Sequence, residues 1–194
     1  MTKIELKVGD ILLLPTKYTE VYSMIAGVLG ANVTELIPKL IDNPYLHAEL
    51  YIGNGYSIAA WLNGVHVVKY PLSTLMKFDI YRHKDDKASE AVKKVILEDF
   101  EAYLQKKPTR FLNKTYDFKT LFYNTIAELA DLLKLEKVVE RKANTMDTPD
   151  SFICSELVAR IYNAAGYDLQ TNDTSLEWIS PSDLIKSPLL YKVL

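Results

Sequence analysis

A single cysteine and three histidines are the only thiol and imidazole groups in the 194 residues of this chain. One thiol cannot form an internal disulfide, and Cys154, His47, His66 and His83 do not have zinc-site spacing. Neither a disulfide scaffold nor a metal or other cofactor is expected. Charge of one sign is lacking as well: 23 Lys and Arg against 25 Asp and Glu give a formal net charge of -2. That leaves no basic footprint for nucleic acid, and without a basic groove the 13 tyrosines are not a base-stacking platform. Long apolar runs are missing too. Ile11–Leu14 and Val21–Leu29 are too short or too interrupted to span a bilayer, and the amino-terminal M-T-K-I-E-L-K is unlike a signal peptide. The expectation is a cytoplasmic protein with no transmembrane segment. With 48% hydrophobic and 25% charged residues, it suits one globular domain over 1–194.

The pattern along the chain is α+β. Residues 4–15 read as an opening strand, with Val8-Gly9-Asp10 turning into Ile11-Leu12-Leu13-Leu14 and Pro15 stopping it. Apolar residues recur at roughly helical spacing over 19–41, weakened by Gly27 and Gly30. Leu46–Ile52, Tyr56–Leu62, Val65–Tyr70 and Phe78–His83 then read as an antiparallel meander, punctuated by Gly53-Asn54-Gly55, Asn63-Gly64 and Pro71. A helical segment (about 87–145) follows. Its parts are an amphipathic helix over 87–106 and a second run over about 118–141. The helix carrying Cys154 stops near Gly166, Ile179–Leu184 is a turn or helix start, and Leu189–Leu194 reads as a last strand.

The chemistry that such a chain permits centres on Cys154 and His47. Cys154 stands where an amphipathic helix begins, with Thr148, Asp150 or Ser151 as N-cap. In the first turn, the helix dipole lowers a thiol pKa and unpaired backbone N–H groups are available to an oxyanion. The alternative is a core thiol, because Cys154, Val158, Ile161 and Ala165 share one helical face. On the strand at 46–52, Ala48, Leu50 and Ile52 form one apolar face, while His47, Glu49 and Tyr51 share the other. A catalytic base needs a group that fixes its tautomer, and Glu49 is placed to supply it; the alternative is a surface His–Glu pair. A hairpin turning at Asn63-Gly64 would pair Trp61 with His66, making His66 a wall or surface residue, and His83 is expected to meet solvent.

Five segments in series resemble the permuted papain-like cysteine hydrolases of the NlpC-like superfamily, especially its YiiX-like branch. They are V-G-D-I-L-L-L, L-H-A-E-L-Y-I-G-N-G-Y-S-I, K-T-Y-D-F-K-T-L-F, F-I-C-S-E-L-V-A-R-I-Y and I-S-P-S-D-L-I-K-S-P-L-L. Lecithin–retinol acyltransferase-type enzymes are more distant relatives of that group. The resemblance implies a papain-like fold with circularly permuted connectivity, a barrel-like antiparallel meander packed on helices, Cys154 as nucleophile and His47 as base. It also implies that Tyr116 and Asp117 line the cleft or anchor the insertion before the cysteine helix; Tyr116 and Trp61 are the candidate substrate contacts. Ser155 and Glu156 are expected to serve packing and capping of the Cys154 helix.

One departure stands out. The family carries a polar third member twelve residues after the histidine, and here that position is Ala59. A three-residue Gly53-Asn54-Gly55 loop would pair residue 59 with 49 and 61 with 47, leaving Glu49 to supply the missing carboxylate, with Ser57 and ordered water as lesser candidates. A two-residue loop would pair Glu49 with Ala60 instead. The expected activity is hydrolysis of an amide or peptide bond through a thioacyl-enzyme. The alternatives are an acyltransferase or lipid esterase using the same pair, with peripheral membrane contact through residues 21–41, and a degenerate domain kept for binding.

Overall fold

The computed structural model of the protein describes residues 5–18, 44–61, 64–116, 151–170 and 179–194, with only the backbone of Tyr116 and Ser151. The helical expectations for 19–41 and 118–141 lie outside the described residues. So do Asn63, Asp117, Thr148, Asp150 and the side chain of Tyr116.

The described chain is α+β, built on one six-stranded antiparallel sheet. Strands β1 (Ile11–Pro15), β2 (Tyr45–Gly53), β3 (Tyr56–Trp61) and β4 (Gly64–Lys69) are followed by a short helix, α1 (Leu72–Leu75). Strand β5 (Asp79–His83) and helix α2 (Lys87–Leu104) come next. A two-residue parallel pair joins β6 (Thr115–Tyr116) to β7 (Ser151–Phe152). Helix α3 (Cys154–Ala164), helix α4 (Pro181–Leu184) and strand β8 (Leu190–Lys192) complete the order. The sheet runs β4-β3-β2-β1-β5-β8, so β1 and β2 lie at its centre. Neither α1 nor the β6–β7 pair is visible as periodicity, because elements of two to four residues are too short to carry one.

The centre of the sheet explains the unbroken apolar run of β1. Ile11 and Leu13 join one buried cluster with Ala48, Leu50 and residues of α2 and α3, while Leu12 and Leu14 join a second with Tyr51, Tyr70, Phe78 and Ile80. A strand covered on both faces needs no alternation of apolar and polar residues. Helix α2 buries Ala88, Val92, Val95 and Ile96, spaced i, i+4, i+7, i+8 on one face, while Leu97 and Leu104 are exposed. Helix α3 buries Leu157, Val158, Ile161 and Tyr162 against the same cluster. Among the described residues no helix is long and apolar enough to cross a membrane.

The first hairpin settles a register that the sequence left open. Asn54 and Gly55 both have positive φ (52° and 82°), as a two-residue type I′ turn requires. A bulge between Tyr51 and Gly53 adds one residue, so Leu50 still pairs with Ile58 and Tyr51 with Ser57. Extending that register sets Glu49 opposite Ala59 and His47 opposite Trp61, the outcome of a three-residue loop reached by another route. The second hairpin corrects an expectation. His66 pairs with Ala59, and Trp61 with Gly64, which is the first residue of β4 and not part of the turn. Backbone contact fixes this: Val65 N–H donates to Lys114 O at 2.9 Å, and a Cβ on Gly64 would sit 2.7 Å from that same oxygen. His83 is a second correction. It is buried, with its ring 6.0 Å from Tyr162 and 4.8 Å from Tyr167, and its Nδ1 accepts the Asp85 N–H at 3.0 Å.

Candidate active site

Helix α3 begins at the site. Its N-cap is Ile153, in extended conformation, so Cys154 is the first helical residue and the N-cap position falls two residues beyond Ser151, the last of the expected candidates. An isoleucine offers no capping oxygen. The work passes to Glu156 three residues on, whose Oε2 accepts the Ile153 N–H at 3.3 Å while Oε1 accepts Arg160 Nε at 2.7 Å. Ser155 Oγ donates to Ile179 O at 2.5 Å, tying the helix start to the I-S-P-S-D turn. There Ser180 and Asp183 cap each other in a reciprocal box with Pro181 at the first helical position. The packing and capping roles expected of Ser155 and Glu156 are visible in these bonds.

Strand β2 brings the second group. The His47 and Cys154 side chains are hydrogen-bonded to each other, 2% and 8% exposed. Burial by itself pushes the Cys154 thiol up. The imidazolium beside it, its hydrogen bond to His47, and backbone contacts at Ala48 and Ser155 act the other way, and the thiol is held below its ordinary range. Burial likewise works against a charged His47, yet the thiolate and the Glu49 carboxylate raise its pKa to about 9. Each charge is therefore sustained by the other. The position of Cys154 at the positive end of an eleven-residue helix favours the same thiolate.

Glu49 completes the row. Its carboxylate is fully buried, and Oε1 stands 3.4 Å from His47 Nε2, a charge contact at the long limit of hydrogen bonding. Oε1 also accepts the Tyr70 hydroxyl at 2.7 Å, and Oε2 accepts the Ser57 hydroxyl. Trp61 is buried with its ring against the His47 imidazole. Ala59, twelve residues after His47, is fully buried and has no polar side-chain atom. His66 is half-buried opposite it, and its Nε2 has no hydrogen-bond partner among the described residues. Tyr70 is the site residue that the sequence reading missed. The signal was there: His66, Val68 and Tyr70 alternate on the face of β4 that meets Ser57, Ala59 and Trp61 of β3. Among the described residues no three His, Cys, Asp or Glu side chains gather as metal ligands would.

The chain matches no protein-family model, no curated protein and no solved structure.

Proposed function

We propose that this protein is a cysteine hydrolase that cleaves an amide or peptide bond, on a papain-like fold whose connectivity is circularly permuted. The observation that carries this reading is the mutual Cys154–His47 contact, in which the thiol is driven down and the imidazole up. A core cysteine kept for packing has no reason to face a buried base. The order of the two groups, histidine strand before cysteine helix, agrees with a permuted chain.

The chemistry follows from the pair. The Cys154 thiolate adds to the carbonyl carbon, and backbone N–H groups at the start of α3 face the developing oxyanion. His47, protonated at rest, delivers its proton to the departing amine as the C–N bond breaks and a thioester forms. With Nε2 turned to Glu49, Nδ1 is the nitrogen that exchanges protons with Sγ and the leaving group. Neutral His47 then takes a proton from water, which attacks the thioester carbon and expels Cys154 as thiolate, leaving His47 protonated again.

Incubation with a panel of acyl-amide and acyl-ester substrates, followed by intact mass measurement, tests the assignment. The expected result is an acyl adduct on Cys154 that hydrolyses with time, faster turnover of amides than of lipid esters, and no adduct in Cys154→Ala. Turnover of lipid esters alone would move the substrate class, and no adduct from either would remove the hydrolase.

A further inference from the structure

A carboxylate at zero exposure needs donors, and Glu49 draws them from a neighbouring strand and from the residue just after the next one. Ser57 lies on β3, and Tyr70 immediately follows β4. Their hydroxyls take one carboxylate oxygen each, Ser57 on Oε2 and Tyr70 on Oε1 at 2.7 Å, and it is Oε1 that faces His47. With both oxygens held, the carboxylate has a fixed plane and cannot rotate away from the imidazole. We infer that Ser57 and Tyr70 are positioning residues that clamp Glu49 against His47, so that a Ser–Glu–Tyr arrangement does the orienting work for which Ala59 has no side chain. The inference rests on the reading of Cys154 and His47 as nucleophile and base.

Two further features fit a clamp. Burial and the neighbouring carboxylate push the Tyr70 phenol well above its ordinary value, so it remains a donor across the working pH range. Tyr70 is itself anchored: its backbone N–H donates to Gly55 O at 2.8 Å, and its ring sits 5.7 Å from that of Phe78. The clamp is therefore tied to the hairpin turn that sets the Glu49 register.

The test is the pH profile of Cys154 alkylation by iodoacetamide in the full chain. It is measured in the wild type, Tyr70→Phe, Ser57→Ala, Glu49→Gln, His47→Ala and the Glu49→Gln/Tyr70→Phe double variant, with thermal unfolding of each recorded. Hydrogen bonds to a charged acceptor justify an expected loss of roughly tenfold in neutral-pH labelling for Tyr70→Phe and for Ser57→Ala. The upper limit of the thiolate–imidazolium plateau should also fall to lower pH. Tyr70→Phe should add nothing once Glu49 is Gln, because the clamp acts only through that carboxylate. A Tyr70→Phe or Ser57→Ala profile that overlays the wild type, while Glu49→Gln is shifted, overturns the clamp and leaves the nucleophile–base reading standing. Slow labelling that is identical in the wild type, Glu49→Gln and His47→Ala overturns both. Tyr70→Phe keeps the ring and Ser57→Ala removes one atom, so either variant alone suffices to decide.

Discussion

The imidazole of His47 lies against the indole of Trp61, ring centroids 3.8 Å apart and planes 31° from parallel. The contact does two things for a charged histidine. A π-face is an attractive neighbour for an imidazolium, and the indole excludes water from the charge contact between His47 and Glu49. Trp61→Ala should lower the His47 pKa toward its ordinary value and cost about 3–5 kcal/mol of stability through the lost packing. Trp61→Phe, which keeps a ring, should do less of both. Denaturant unfolding and the pH profile of Cys154 alkylation read the two effects separately. An unchanged pH profile in Trp61→Ala would leave the tryptophan a packing role only.

The opposed shifts of Cys154 and His47 define a working pH window. In the proposed hydrolase the reactive form needs the thiolate and the imidazolium together. Rates should therefore rise as pH passes the lowered Cys154 pKa and hold through neutrality. They should fall as His47 loses its proton near pH 9. The sign for stability is the same on the alkaline side. The His47 pKa is raised from 6.5 to about 9, so its contribution is fully present below 6.5 and is lost as pH climbs through 9. In His47→Ala the imidazolium is gone while burial still pushes the thiol up, and neutral-pH labelling should drop more than about tenfold. A bell-shaped profile centred well below neutrality would contradict this assignment of charges.

Gly64 should be intolerant of any side chain. Its φ of 114° lies where residues with a Cβ are strained, and an added Cβ would meet Lys114 O at 2.7 Å. Because that oxygen accepts the Val65 N–H, relief of the clash would pull β4 from the chain entering β6, which pairs with β7 just ahead of Cys154. Gly64→Ala is expected to lose about 2–3 kcal/mol in urea unfolding, and Gly64→Val more. A loss under about 0.5 kcal/mol, the usual range for an exposed surface change, would mean that the backbone approach is loose.

How much of this was legible in the sequence depends on the length of chain each feature needs. The strands β1 to β5, helix α2 and the cysteine helix were readable from apolar runs or apolar periodicity bounded by turn residues. His47, Cys154 and Glu49 were identifiable as chemistry, and strand parity alone placed His47 and Glu49 on one face. Two things were beyond such reading. A bulge is invisible to periodicity, so the hairpin at Asn54-Gly55 gave the right register for Glu49 by a different count. The second hairpin, without such a compensating residue, moved His66 from Trp61 to Ala59. Burial of His83 was likewise hidden, since its covering residues Tyr162 and Tyr167 come from a helix end far along the chain. Tyr70 joined the site only once three strands were in register.

Asp10 and Arg82 offer a control at the other end of the architecture. Arg82 donates from Nε to Asp10 Oδ1 at 2.6 Å and from its terminal nitrogen to Oδ2 at 2.7 Å, a bidentate pair whose carboxylate is fully buried. Asp10 also accepts the Lys7 N–H at 2.8 Å, while Tyr162 of α3 donates to the neighbouring Gly9 O at 2.5 Å. The pair thus pins the V-G-D turn to β5 beside the far end of the cysteine helix. Asp10→Asn leaves the guanidinium without its charge partner and should cost about 3 kcal/mol or more, while replacing both residues by Leu should cost less than the single change. Urea unfolding of the two variants measures this. Because neither residue touches His47 or Cys154 in any contact described above, the alkylation pH profile of the folded Asp10→Asn protein should match the wild type. A shifted profile would mean that the turn and the thiolate site are coupled through α3, whose Tyr162 end is held by Gly9 and whose first residue is Cys154.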